Sequence, residues 1–289
     1  KGLPFFHKPP LFYWLSGAAL SLFGLVEVAG RAASLCGATL GSMALYLFTR
    51  HWCGQAAARR TLWVLLLQPL LFIGGQFANL DMLVAGCITA TVLALAHAAL
   101  RFEQGQPHRR ALWLGYALAG LGVLAKGLIG FVIPALTLGL WLLLRWRWRT
   151  LWALLSLPGA AIFLLVAAPW YVAMQMRFDD FLHYFFVVQH FQRFSVGGFN
   201  NVMPVWFYPA VLALLSLPSL VWCPHLLDRA APGVAHGHQA VGNGLRQHGL
   251  HVVGGDVVTP FDQRARLGRA HQRDARARRQ PLHEPAPRA

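Results

Sequence analysis

Long apolar runs, broken by short arginine-bearing loops, constrain this chain more than any other feature. A bilayer of about 30 Å needs roughly 17–25 apolar residues per helical crossing. Segments near 32–49, 61–78, 80–100, 111–125, 127–144, 151–169 and 205–222 approach that length and predict about seven spans. The loops "RHWCGQAAARR" (50–60), "RFEQGQPHRR" (101–110) and "RWRWR" (145–149) hold most of the arginine of this region and are predicted to be cytoplasmic. Only 12% of residues are charged and 56% are hydrophobic, against about 25% charged in soluble domains. The net charge of +15 would suggest nucleic acid in a soluble protein. Here the positive-inside rule accounts for it, and no nucleic-acid partner is expected. Cys36, Cys53, Cys87 and Cys223 show neither disulfide nor metal spacing.

The reading is an all-α, polytopic transmembrane helical bundle in three parts. Residues 1–31 form a periplasmic loop and interfacial helix, 32–222 the transmembrane region, and 223–289 a tail. Residues 11–26 are too short for a comfortable crossing and are read as a helix lying in the outer leaflet. A short tilted span is the alternative, and it would move the opening motif to the cytoplasm. The tail carries ten Arg and seven His with Phe261 its one aromatic residue. It shows no helical or strand periodicity, so disorder is expected. Its composition suits a GC-rich gene read in a shifted frame. Because residue 1 is Lys and apolar sequence starts almost at once, the chain is expected to be a piece of a longer protein.

Counting spans from the arginine loops places Lys8, Asp81, Lys126, His190 and Arg193 on one side, the periplasmic one. Ionisable groups at a membrane boundary are costly and are candidates for function. Asp81, in "FANLDMLVAG", can cap its helix, serve as a catalytic or substrate-orienting residue, or do both. Lys126, in "LAKGLIG", is either an interfacial lysine that snorkels or a ligand contact made close by flanking glycines. His190 is either a hydrogen-bonded interface residue or a metal ligand, with His7 as a second donor. Arg193, three residues on, suits bidentate phosphate binding. The aromatic-rich stretch 170–204 includes "FDDFLHYFF", read as a surface helix beside an isoprenoid or acyl chain. Its Asp179 and Asp180 are read as solvated cap residues.

"FFHKPPLFYWL", "FGLVEVAGRAASL", "FANLDMLVAG", "LAKGLIGFVIP" and "VVQHFQRF…MPVWFYPAVL" occur in an order that resembles the polyprenyl-phosphate-dependent glycosyltransferases of the C superfamily (GT-C). The likeness extends to the branch with the lipid A aminoarabinose transferase and the dolichyl-phosphate-mannose protein mannosyltransferases. It spans residues 1–222. The resemblance implies a multi-span bacterial inner-membrane enzyme with a periplasmic site. Its donor would be an undecaprenyl-phosphate-linked sugar, such as 4-amino-4-deoxy-L-arabinose or a hexose. Its acceptor would be lipid A or another periplasmic molecule. Lys8, Arg193, Lys126 and Tyr13 would bind phosphate or substrate, and Asp81 would line the site as its acidic residue. His190 and His7 would hold a divalent metal, zinc or magnesium/manganese. His7 stands where the family carries a glutamate, which changes the charge there. The family's principal catalytic acid falls upstream of Lys1, so this piece alone is expected to be inactive. No phosphate-binding glycine loop is present, and no nucleotide cofactor is expected. The rivals are a transporter or flippase of lipid-linked sugars, which would put charges at mid-bilayer and repeat broken helices, and a non-catalytic membrane scaffold.

Overall fold

The computed structural model describes residues 8–192 and 203–220, and the strand residues 251–253 and 256–258. The chain divides into two compact units, Lys1–Val221 and Trp222–Ala289. In the first, α1 (Leu11–Phe23), α2 (Glu27–Gly30), α3 (Ala32–Cys53), α4 (Gln55–Leu66) and α5 (Pro69–Gln76) lead into α6 (Leu80–Glu103). Then come α7 (Arg109–Lys126), α8 (Ile129–Leu144), α9 (Trp148–Leu154) and α10 (Leu157–Arg177). A π-helical segment, His183–Gln192, and two short helices, α11 (Phe207–Leu215) and α12 (Leu217–Leu220), follow.

Among the described residues, three helices are long and apolar enough to cross a membrane: α3, α6 and α10. The α4–α5 pair, bent by 62°, makes a fourth if it counts as one span. Length and apolar composition alone therefore pick out fewer helices among the described residues than the seven expected, for local reasons. The run 61–78 is broken before Pro69, where Gln68 takes an extended conformation (φ −75, ψ 117), as a residue preceding proline prefers. The run 151–169 is broken at Leu155–Ser156. The Ser156 side chain caps α10 through the Gly159 N–H, and the helix then continues to Arg177. The run 205–222 stops at Ser216, between α11 and α12. Helix α8 has 16 residues with Pro134 inside it. Helix α7 carries Arg109, Arg110 and Lys126 at its ends. Its buried residues concentrate between Leu118 and Ala125, so its second half lies inside the bundle. At 13 residues, α1 extends about 20 Å, short of a crossing.

Two apolar clusters fix the bundle's ends. At one, Phe12 of α1, Ala33 of α3, Leu83 and Val84 of α6, and Ala125 of α7 pack together. At the other, Ala98 and Ala99 of α6, Leu112 of α7, Leu138 and Leu142 of α8, and Leu154 of α9 do the same. The three arginine-bearing loops gather at this second end. Trp52 donates to His97 Nδ1 at 3.1 Å, His108 packs edge-on against Phe102, and Arg147 pairs with Glu103 at 3.9 Å. Between the ends, α3 and α6 approach closely through glycine. A Cβ on Gly86 would collide with the Gly37 backbone, and one on Gly37 with the Met82–Leu83 backbone. Small residues at such crossings are how membrane helices gain packing contacts.

In the second unit, the strands β1 (His251–Val253) and β2 (Asp256–Val258) form an antiparallel hairpin with Val252 opposite Val257. This corrects the reading that the tail lacks strand periodicity. "HVVGGDVV" sets β-branched residues on both sides of two glycines, a hairpin signal hidden by its brevity. Among the described residues this hairpin is the one departure from an all-helical chain. The expected disorder of the remaining tail falls outside the described residues.

Candidate active site

Of the polar residues expected to meet, Lys8, Asp81 and Lys126 lie together at the ends of helices. Pro9 and Pro10 are buried, and the Pro10 carbonyl accepts the Trp14 N–H at 2.9 Å. Proline fixes φ and removes a donor, so this pair sets Lys8 rigidly at the head of α1. Phe12, one turn on, is driven into the cluster with Ala33, Leu83, Val84 and Ala125. Tyr13 follows on the exposed side of α1, 44% accessible, its ring edge-on to Phe12 at 5.7 Å.

At the start of α6, Asn79 rather than Asp81 is the N-cap. Its side-chain oxygen accepts the Asp81 N–H at 2.7 Å. Ser34, fully buried on α3, secures the cap from the neighbouring helix. The Ser34 hydroxyl donates to the Asn79 carbonyl at 2.9 Å and accepts the Asn79 N–H at 3.1 Å. The Asp81 carboxylate is thereby left for another partner, the ammonium of Lys126 at the C-terminal end of α7. Gly127, at φ 96, ends that helix in a conformation that suits a residue without a Cβ. Lys8 lies close enough to Lys126 for the two cations to repel each other.

Replacing Ser34 by Ala leaves the part-buried N–H and carbonyl of Asn79 without these partners. We predict a loss of about 1–3 kcal/mol in stability and faster amide exchange at Asn79 and Leu80, read by hydrogen–deuterium exchange. Tyr171 of α10 supports the same region from behind. Its buried hydroxyl donates to the Val123 carbonyl at 3.2 Å, which also accepts the Gly127 N–H. Tyr171→Phe should cost about 0.5–1.5 kcal/mol, measurable as a lower thermal midpoint in detergent.

Asp81, Lys126 and Lys8 are thus brought to one end of the bundle, with Asp81 a pairing residue rather than the cap. His7, Arg193 and the His190 side chain lie outside the described residues, so their expected contacts with this cluster fall there too. Among the described residues, no group of three or more His, Cys, Asp or Glu side chains is placed to hold a metal ion. The described residues therefore do not by themselves make a metal site.

Within "FDDFLHYFF", read as a surface helix, two of the rings turn inward. Phe181 and Phe185 are buried, packed with Tyr171, Ala167, Val123 and Leu124. They form an inner wall under the end of α7. Asp179 and Asp180 are exposed, with Asp180 at φ 64, and the π-helix begins only at His183. The sequence reading missed Ser34, Asn79 and Tyr171. Asn79 was legible as a cap-forming residue just before an apolar run; Ser34 and Tyr171 act through tertiary contacts that no local pattern marks.

The family model described as dolichyl-phosphate-mannose-protein mannosyltransferase matches residues 7–172. An undecaprenyl phosphate-alpha-4-amino-4-deoxy-L-arabinose arabinosyl transferase 1 of Sodalis glossinidius is 37% identical over 229 residues, covering 77% of this chain and 40% of that protein. The transferase so named from Pseudomonas aeruginosa is 32% identical, covering 79% and 42%. Among solved structures, ArnT from Cupriavidus metallidurans bound to undecaprenyl phosphate superposes with a TM-score of 0.71 at 28% identity. It covers 80% of this chain and 42% of that one. The chain therefore spans about 40% of the length of the relatives it matches. Its fold is that of a multi-pass membrane protein, and with the match running over more than half its length, the chain belongs to the dolichyl-phosphate-mannose-protein mannosyltransferase family.

Proposed function

We propose that the intact protein transfers a sugar, such as 4-amino-4-deoxy-L-arabinose, from undecaprenyl phosphate to lipid A or another periplasmic acceptor. The observation that carries this is the assembly of Lys8, Lys126 and Asp81 at one bundle end, opposite the arginine-bearing loops. Under the positive-inside rule those loops mark the cytoplasm of a bacterial inner membrane, so the cluster faces the periplasm. Relatives named as arabinosyl transferases and an ArnT structure bound to undecaprenyl phosphate support the donor class.

In transfer, the bond between the anomeric carbon and the donor phosphate breaks as the acceptor oxygen attacks, and negative charge collects on the leaving phosphate. An ammonium has three N–H donors. Lys126 gives one to Asp81 and keeps others for a phosphate oxygen, while Lys8 adds a second positive charge nearby. Fixed cations aimed at developing charge are the largest source of stabilisation for such a step. Asp81 positions the Lys126 ammonium and prevents it from retreating along its flexible stem. Arg193, by its motif, joins on the phosphate.

Lys8→Ala in the intact protein should lower transfer from an undecaprenyl-phosphate donor by about 10²–10³-fold, with Lys8→Arg recovering part of it. Unchanged turnover at equal expression removes Lys8 from the site. Cysteines at positions 8 and 126 should be labelled by an impermeant reagent added from the periplasmic side. Labelling from the cytoplasm alone sinks the assignment. The transporter reading is not favoured, because these charges gather at one end rather than at mid-depth.

A further inference from the structure

The opposite end of the bundle holds a second site that the transfer reaction does not use. Where α6 turns into α7, a depression of about 1070 Å³ is lined by His97, Arg101, His108, Arg109 and Arg110, with Trp113 at its edge. The loop that shapes it is fixed by its backbone. Gly105, at φ 69, makes the turn, the Gln106 N–H donates to the Arg101 carbonyl at 2.8 Å, and the Gly105 N–H to the Phe102 carbonyl at 2.9 Å. Among the described residues, no carboxylate pairs with its arginines. The nearby acid, Glu103, is turned toward Thr150 and Arg147 on the far side. No carboxylate among the described residues lies within ion-pair distance of Arg101, Arg109 or Arg110. Arg101 Nε is itself buried and has no acceptor among the described residues.

A second cavity of about 390 Å³ adjoins it and shares His97 and Ala111. This one runs between α3, α6 and α7 and is apolar, lined by residues such as Leu47, Leu93 and Leu114. A basic pocket continuous with an apolar groove, beside a tryptophan, has the polarity of a lipid: phosphate above, acyl chain below. We propose that this site binds an anionic phospholipid, its phosphate held by Arg101, Arg109 and Arg110 and an acyl chain lying in the α3–α6–α7 groove. The groove is what distinguishes a lipid from a free phosphate ion, which would fill only the basic part. Basic pockets between helices on the cytoplasmic side are a recurrent means of holding such head groups.

Native mass spectrometry of the full chain in a neutral detergent tests this, with phosphatidylglycerol, phosphatidylcholine and inorganic phosphate as probes. Phosphatidylglycerol should be retained and phosphatidylcholine not. Each guanidinium near an anionic headgroup contributes about fivefold, so the triple variant R101Q/R109Q/R110Q should bind phosphatidylglycerol about a hundredfold more weakly. The variant R50Q/R59Q/R60Q removes the same charge from the same end and should bind as the unaltered chain does. Should the first triple variant fail to fold by circular dichroism, Arg110→Gln alone, at an exposed position, should weaken binding about fivefold. Equal retention of the two lipids, equal losses in the two triple variants, or retention of phosphate without phosphatidylglycerol would each overturn the proposal.

Discussion

Asp81→Asn and Lys126→Met, made separately in the intact protein, are each expected to reduce sugar transfer by about 10²–10³-fold while leaving thermal stability nearly unchanged. The two effects separate because of where the pair sits. Both side chains are partly exposed at the bundle's end, where an ion pair contributes only about 0–1 kcal/mol to folding. The Asn79 cap and its Ser34 clamp, which do hold the start of α6, remain in both variants. The activity loss follows from misdirecting an ammonium that must meet a phosphate. Because the residues act as one unit, the double variant should lose little more than the worse single one, and a double-mutant cycle would show strong coupling. Turnover within threefold of the unaltered protein in either single variant would dismiss the pair from the mechanism.

Gly86→Val should have the largest effect on stability. The new side chain would have to occupy space already filled by the Gly37 backbone on α3, and backbone, unlike a flexible side chain, cannot turn aside. Forcing extra methyl groups into so tight a crossing costs about 3 kcal/mol or more. The helices would separate near Ser34 and Asn79, so transfer should fall together with the midpoint of unfolding in detergent. Gly139→Ala is the control. Nothing lies within 4 Å of a Cβ built there, so this exchange in α8 should stabilise by about 0.5–1 kcal/mol. Equal behaviour of the two variants would mean that the α3–α6 contact does not limit stability.

The helical class, the membrane setting and the meeting of Lys8, Asp81 and Lys126 at one end were legible in the sequence. Apolar length and arginine placement are both summed over many residues, and such sums survive local error. Where the helices break was not legible, because hydropathy hardly registers the features that break them. Pro69 after Gln68, Pro158 two residues after Ser156, and Pro218 two after Ser216 sit within runs that remain apolar throughout. Backbone geometry, rather than polarity, decided those positions. Whether Asp81 serves as the cap was left open for a related reason. A carboxylate near a helix start is ambiguous until the residue two places earlier is found to hold the cap. The burial of Phe181 and Phe185 was hidden as well, since an aromatic residue near a membrane boundary suits a protein interior and a lipid surface equally. The roles read for His7, His190 and Arg193 rest on side chains beyond those described.

The double hydrogen bond between Ser34 and Asn79 joins residues 45 positions apart and bypasses everything between them. The beginning of α6 takes its coordinates from α3 directly, and the bent α4–α5 excursion is relieved of any duty as a spacer. Changes in that excursion that keep Gly74 and Gly75 packed against Met82 and Ala38 should therefore leave the carboxylate of Asp81 in place.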